Sequence, residues 1–351
     1  MFVNTREFSK EAQRFLRLGY YCGDPPGSAP FYEYWTEQLR RCREGYTIGD
    51  TRITGHHYFY LNFCRIKLTE QVGERKAGTK TVSFPNFWDG DYQYFHALES
   101  AASQGLHLIV AKARRKGFSY KNAAIAANLY NTTKNSYTLL CAHDKKYLYP
   151  KGIMTMVTDY MNFINEHTGW QKRRQVVDKI NHKRASYLQY INKQAIEKGY
   201  KSEVEAITFK DNPDAARGKD ASLVIFEECG AFNNLKASYL ATRPCVEDGG
   251  VVTGQIVLFG TGGDMQGGTI DFESMFYNPE AYDLYAFDNI WDEGGEGSTC
   301  GFFFPSFQNK IGYMDQDGNS LAKQAKQIEE AKRDQLKKEA KDANTLDKYV
   351  T

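Results

Sequence analysis

Residues 106–130 read Leu-His-Leu-Ile-Val-Ala-Lys-Ala-Arg-Arg-Lys-Gly-Phe-Ser-Tyr-Lys-Asn-Ala-Ala-Ile-Ala-Ala-Asn-Leu-Tyr. An apolar run gives way to a basic loop ending in glycine, and then to an alanine-rich helical pattern. Strand, loop and helix in this order suit a triphosphate site. Such a site needs a glycine turn that aims backbone N–H groups at phosphate oxygens, a cation, and a hydroxyl at the helix start for Mg2+. Gly117 and Ser119 meet two of these needs. The common G-x-x-x-x-G-K-[ST] pattern is nevertheless absent, because its first glycine is missing and Phe118 stands where its lysine belongs. Three readings compete: a phosphate loop with a relocated cation, a contact for a nucleic-acid backbone, or a solvated turn. The candidate phosphate contacts are Lys112, Ala113, Arg114, Arg115, Lys116, Gly117, Phe118, Ser119 and Tyr120.

Outward from this stretch, apolar runs recur at Ser136–Leu140, Ser222–Phe226 and Gln255–Phe259. Short, near-continuous runs suit strands buried on both faces. The chain is therefore expected to be α/β, with a mostly parallel sheet flanked by helices, of the P-loop NTPase type. The run at Ser222–Phe226 ends in Glu227-Glu228. Carboxylates at the C-terminal end of a buried parallel strand lie where ligands bind in open α/β sheets, and they need a metal or water there. Glu227 would face Mg2+ and Glu228 would polarise an attacking water; the competing reading is a solvated strand end. The run at Gln255–Phe259 leads into Gly260-Thr261-Gly262-Gly263. There a threonine can sense the γ-phosphate and pass its loss to a flexible backbone, or the segment is a plain tight turn.

These three segments, in this order and spacing, resemble the ATPase domain of tailed-bacteriophage large terminases. That family accepts a phosphate loop with its lysine at the start, K-x-x-R-x-G-[YF]-S, which Lys112, Arg115, Gly117, Phe118 and Ser119 match position by position. The resemblance implies that Lys112 neutralises the β- and γ-phosphates with help from Arg115, and that Ser119 and Glu227 hold Mg2+. It implies further that Glu228 is the catalytic glutamate and that Gly260-Thr261-Gly262 couples hydrolysis to movement. Lys116 and Arg114 stay open as alternative cations. The family carries Asp where this chain has Glu227, whose side chain is about 1.5 Å longer. Phe87–Tyr94 lies where terminases carry an aromatic-glutamine adenine motif, with Gln93 for the adenine edge and Tyr92 or Tyr94 for stacking.

From the same resemblance follow ATP and Mg2+ as cofactors, and double-stranded DNA, a portal protein and a small terminase subunit as partners. It implies a ring, a pentamer, on the procapsid, with an arginine supplied between subunits; Arg217 and Arg243 are the candidates. The chain would work in the host cell cytoplasm and transiently at the portal vertex. Residues 1–80 are expected to form a helical N-terminal extension, 81–305 the ATPase core, and 306–351 a linker with a charged helix. The nuclease usual in the family has no counterpart, so no nuclease activity is expected. Asp315–Asn319 resembles a calcium loop, but Lys326 stands where a bidentate Glu is required, and it reads as a turn.

Two other functions compete. A helicase-type translocase would be expected to carry an ordinary G-K-[ST] loop and a second ATPase-like domain. A catalytically inactive nucleotide-fold DNA-binding phage protein would have no need to keep Glu228, Ser119 and a nearby lysine together.

The chain has 43 acidic and 45 basic residues, so a nucleic-acid surface must come from local segregation of charge. Gln171–Lys201 is the densest basic segment, with nine Lys or Arg against Asp178 and Glu197. Lys172, Arg173, Arg174, Lys183 and Arg184 are its candidate DNA contacts; a solvated helix face is the competing reading. The residues from Met1 lack the apolar core of a signal peptide, and no run approaches the roughly 18 apolar residues of a membrane span. A soluble intracellular protein is expected. Seven scattered cysteines without a C-x-x-C pair indicate neither a disulfide framework nor a zinc ribbon.

Overall fold

The structure, a computed structural model, describes residues 1–71, 78–172, 174, 177–261, 268–292, 295 and 297–342. Its first part comprises α1 (Lys10–Leu18), α2 (Ala29–Glu44), the hairpin β1 (Tyr46–Ile48) and β2 (Thr51–Ile53), and α3 (Gly55–Phe63). A second hairpin, β3 (Ile66–Gln71) and β4 (Gly78–Ser83), precedes α4 (Asp89–Ser103). Local chemistry sets the helix starts. The Ser28 side chain accepts from the Phe31 N–H at 3.4 Å with Pro30 in the first turn of α2, and Thr54 accepts from the His57 N–H at 3.3 Å to open α3. The aromatic run His57–Phe63 lies in α3 and is buried along its length.

The chain continues through β5 (Leu108–Lys112), α5 (Phe118–Thr132), β6 (Tyr137–Ala142), α6 (Ile153–His167), and the long hairpin β7 (His182–Ile191) and β8 (Gln194–Thr208). Then come β9 (Leu223–Glu227), α7 (Leu235–Thr242), the pair β10 (Glu247–Asp248) and β11 (Val251–Val252), β12 (Gln255–Gly260) and α8 (Gly268–Tyr277). The pair β13 (Phe287–Asp288) and β14 (Thr299–Cys300), the strand β15 (Phe302–Phe304) and α9 (Ala322–Asp342) follow.

Seven strands form one sheet in the order β15-β5-β12-β9-β6-β8-β7. Every neighbouring pair is parallel except β8 with β7. The four apolar runs of the sequence are the consecutive strands β5, β12, β9 and β6. Their residues alternate between two cores: Leu108, Val110, Leu140, Ile225 and Val257 point to one, and Ile109, Leu139, Val224, Phe226 and Leu258 to the other. Helices α3 to α6 bury their apolar faces in the first core, and α7 and α8 in the second. With both faces covered, every second residue cannot be polar, which is why the strands read as continuous apolar runs.

Phe302–Phe304 form β15, paired in parallel with β5. One hairpin corrects the sequence reading. The basic segment is not a helix face: Lys183 and Arg184 lie in β7 and Lys193 at the hairpin turn. Asp315–Asn319 forms a turn closed on itself, with Asp315 Oδ1 accepting from the N–H groups of Asp317 and Asn319 at 2.9 and 2.8 Å. This turn also holds the chain's opening residues. The Phe2 N–H donates to Asn319 Oδ1 at 2.7 Å, and Thr5 Oγ1 donates to the Asp317 carbonyl at 2.8 Å. All seven cysteines are free and six are buried. Among the described residues, no helix is long and apolar enough to cross a membrane.

Candidate phosphate and carboxylate site

Three strands bring their C-terminal ends to one edge of the sheet. Gly260 of β12 pairs with Ala111 of β5, and Phe259 of β12 pairs with Glu227 of β9. β12 therefore stands between the basic loop and the carboxylates. The loop leaves β5 at Lys112 and is anchored where the Ala113 N–H donates to the Phe304 carbonyl at 3.1 Å. It turns through Arg115 at φ 61° and Gly117 at φ 70°, and α5 starts at Phe118. The N–H groups of the first turn of α5 have no intrahelical partners, which makes the loop and helix start an anion-binding edge.

Glu227 is buried at the end of β9, and Ser119 Oγ donates to its Oε1 at 2.6 Å. Its other oxygen, Oε2, is buried without any hydrogen-bond partner. Burial, with a smaller contribution from the neighbouring Glu228, pushes the Glu227 carboxyl up to about 8 against the counter-pull of the Ser119 hydrogen bond. An orphaned carboxylate oxygen beside a serine hydroxyl is a pair of hard oxygen donors, which fits Mg2+.

Glu228 adopts the left-handed conformation, φ 54°, and this turns its carboxylate back over the strand ends. Lys112 Nζ lies 3.0 Å from its Oε2. The Thr261 N–H donates to Oε1 at 3.0 Å, and Thr261 Oγ1 donates to the same oxygen. Burial raises the Glu228 carboxyl, but the Lys112 charge and the Thr261 hydrogen bonds outweigh it and hold it below the ordinary glutamate range. Gly260 permits this closeness, since a Cβ there would sit 2.8 Å from the Cys229 nitrogen.

Beneath the loop is a layer the sequence reading missed. Lys121, one turn into α5 and 1% exposed, makes an ion pair with Asp91 Oδ1 at 2.9 Å and donates to the Lys116 carbonyl. Its ammonium also lies 4.5 Å from the Phe118 ring centre. Asp91 Oδ1 accepts from Asn309 Nδ2 at 2.7 Å as well. Burial raises the Asp91 carboxyl and lowers the Lys121 ammonium, each partly offset by the other. A lone lysine in an alanine-rich helix was the available signal; Asp91, on the preceding helix α4, was not recognisable as its partner.

The remaining candidates divide as follows. Lys112, Ser119, Glu227, Glu228 and Thr261 come together. Arg114 and Arg115 are exposed on the loop. Lys116 is turned away as an alternative cation: its Nζ donates to the Ser306 and Gln308 carbonyls, both at 2.6 Å. The Phe118 ring is buried against Tyr94 and Phe304, so only its backbone can serve the loop. Tyr120 sends its phenol to the Lys67 backbone. Tyr94 is fully buried and donates to Asn122 Oδ1 at 2.8 Å, which rules out stacking on a base. Tyr92 stacks on His96 at 3.9 Å, whereas Gln93 is exposed and accepts from Gln308 Nε2 at 2.6 Å.

The candidate DNA contacts are mostly neutralised within the chain. Lys183 is buried against Asp178, Arg184 pairs with Glu197 and Glu203, Arg174 lies 3.6 Å from Asp178, and Lys172 sits over the Tyr200 ring. Arg243 is held between Glu247 and Asp283 at 2.8 and 2.7 Å, beside the start of β5 and away from the site edge. Arg217 is exposed on the loop before β9, 3.5 Å from Asp214. Arg173 and Gly262 lie outside the described residues.

Parallel strands, a basic loop opening a helix, and carboxylates on a nearby strand end define an α/β fold of the P-loop NTPase type. No protein-family model and no curated protein matches the chain. Among solved structures it is similar to a mutant ATPase domain of the Thermus phage P74-26 large terminase, at 14% identity and a TM-score of 0.43, over 60% of this chain and 81% of that one. It is also similar to the bacteriophage HK97 large terminase, at 12% identity and a TM-score of 0.42, over 78% of this chain and 50% of that one. A third is the large terminase of a thermophilic bacteriophage in complex with ADP, at 12% identity and a TM-score of 0.34, over 50% of this chain and 38% of that one. These overlays are loose, so the functional reading rests on the side chains.

Proposed function

We propose that this chain is the ATPase motor of a viral large terminase, hydrolysing ATP to drive double-stranded DNA into a procapsid. The observation that carries the ATPase reading is the meeting of Lys112, Ser119, Glu227, Glu228 and Thr261 at one sheet edge, with a buried Glu227 oxygen left unpartnered. The phosphates of ATP would lie on the loop and the start of α5. Lys112 would exchange its Glu228 contact for the β- and γ-phosphates, with Arg115 on the exposed side of the loop assisting. Glu228, released from the lysine, would then accept the proton of an attacking water. Thr261, bonded to that same carboxylate, would register the exchange and pass it along the chain after β12. Mg2+, when bound, would supply positive charge against the phosphates, and Ser119 Oγ and the Glu227 carboxylate would hold it.

The DNA-packaging part of the reading rests on the K-x-x-R-x-G-F-S loop together with the carboxylate pair. It includes a portal protein and small terminase subunit as partners, a ring on the procapsid, and work in the host cytoplasm and at the portal vertex. Arg217 is the better candidate for an arginine offered to a neighbour, because Arg243 is already paired twice.

Nucleotide binding and Mg2+-dependent hydrolysis by the purified chain, beside Lys112→Ala and Glu228→Gln, test this. Lys112→Ala is expected to weaken ATP binding and Glu228→Gln to keep binding but lose turnover. Direct titration with Mn2+ in place of Mg2+, compared with Glu227→Gln, reads the metal site without activity. A wild type that binds no nucleotide, with or without duplex DNA, would sink the ATPase reading.

A further inference from the structure

The basic loop is stapled at both ends to one segment, residues 304–310. At its start the Ala113 N–H donates to the Phe304 carbonyl at 3.1 Å, and at its end Lys116 Nζ donates to the carbonyls of Ser306 and Gln308, both at 2.6 Å. A second route ties the backbone of Lys116 to the same segment. Its carbonyl accepts from Lys121, Lys121 pairs with Asp91, and Asp91 accepts from Asn309 Nδ2. Between the two staples Arg115 holds φ 61°, a left-handed conformation that disfavours any residue with a Cβ and persists only where its surroundings impose it.

The segment is in turn clamped by α9. Glu329, half-buried on that helix, accepts from Ser306 Oγ and pairs with Lys310. Its charge also reaches Lys116. Burial pulls the Lys116 ammonium down to about 8 against the counter-pull of Glu329, with Lys121 and Lys310 adding to the fall and Asp91 opposing it.

We propose that Lys116 is a positioning residue that acts through the loop backbone, and that α9, gripping residues 306–310 through Glu329, sets how tightly the loop holds a nucleoside triphosphate. The staples keep the loop N–H groups in one arrangement before the ligand arrives, so less ordering is left to binding. Arg114 and Arg115 lie bare on the loop, as cations awaiting an anion would; Lys116 instead commits two of its three donors to carbonyls. The coupling is reciprocal: a ligand that tightens the loop also tightens the grip on α9, and whatever draws α9 away weakens binding. The ligand named here rests on the nucleotide reading, whereas the staple does not.

ATP binding and steady-state hydrolysis by the full chain, with Lys116→Met, Glu329→Gln, the double variant and Lys116→Arg, test the proposal. Lys116→Met is expected to weaken ATP binding about tenfold and Glu329→Gln about threefold, the loss falling on KM and not on kcat. The double variant is expected to bind no more weakly than Lys116→Met alone, because Glu329 acts through the staple that Lys116 makes. Lys116→Arg keeps a cation with donors for both carbonyls and is expected to recover most of the affinity. Hydrogen exchange of the ligand-free chain reads the staple without nucleotide: peptides over 113–119 are expected to exchange faster in Lys116→Met and Glu329→Gln than in the wild type. ATP is expected to slow exchange around Glu329 in the wild type and not in Lys116→Met. Circular dichroism checks each fold, and if Lys116→Met does not fold, exchange and binding of Glu329→Gln decide the matter.

A wild type that binds no nucleotide would sink the ATPase reading and leave the ligand-free exchange to decide the staple. Loop exchange unchanged in both variants would overturn the proposal, as would a double variant whose loss is the product of the single losses. Loss of binding in Lys116→Met with loop exchange unchanged would make Lys116 a direct phosphate ligand and overturn it too.

Discussion

Lys121→Met removes one charge from a buried pair and leaves Asp91 facing an empty position. At 2.9 Å separation and an effective dielectric constant of about 20, the lost attraction is about 6 kcal/mol, while ordinary desolvation of each ion costs several kcal/mol. The intact pair therefore contributes little net stability, but either single change is expensive, because one buried charge is left without compensation. Lys121→Met and Asp91→Asn are each expected to cost about 3–5 kcal/mol, and the double variant about 2–3 kcal/mol less than their sum. Urea unfolding of the four proteins measures this directly. The pH dependence follows from Asp91, whose carboxyl is already raised by burial and rises further once the lysine is gone. Folded Lys121→Met then holds a proton that the unfolded chain releases above pH ~4, so its deficit grows as pH rises above ~4 and shrinks on acidification. Additive losses, or a deficit that ignores pH, would show that Lys121 serves only as a packed hydrocarbon stem and would refute the reasoning.

Glu228→Gln is expected to lower turnover by about 10²–10⁴-fold with ATP affinity kept or improved, since Lys112 no longer has a carboxylate to leave; steady-state hydrolysis and equilibrium binding together check this. Gly117→Ala meets no clash, its nearest neighbour being Lys121 Nζ at 3.9 Å, but it must hold φ 70°. It is expected to cost about 1–2 kcal/mol in thermal unfolding, and Gly117→Asn less. Glu227, pushed up to about 8, stays protonated in the folded protein over a range where the unfolded chain has ionised. Metal-free stability is therefore expected to fall as pH rises from ~5 to ~8, while stabilisation by Mg2+ grows. Thermal unfolding with and without Mg2+ measures both trends, and Glu227→Gln should flatten them.

The central strands were legible because burial on both faces removes the polar residues that would otherwise break the runs. The same rule hid β7 and β8, whose outer halves are exposed and mix polar residues such as Gln189, Glu197 and Lys198 with Leu188, Tyr190 and Ile196. β15 was hidden by its brevity. At the site, residues fixed by strand ends were readable: Lys112, Glu227 and Thr261 follow from where apolar runs stop. Side-chain direction on helices was not. A step of one residue along α4 rotates the side chain by about 100°, which separates exposed Gln93 from buried Tyr94. Lys116 and Lys112 looked equivalent as cations, and only the Ser306 and Gln308 carbonyls, about 190 residues away in sequence, tell them apart.

The bonds joining Phe2 and Thr5 to the turn at 317–319 set a timetable for synthesis. The Thr5 bond spans 312 residues, so at ribosomal speeds of about 5–20 residues per second the opening segment waits roughly 15–60 s for its partner. During that interval Phe2 lacks this anchor. A chaperone that shields the segment around Phe2 would find its client there, and slowing translation before codon 317 would lengthen the exposure.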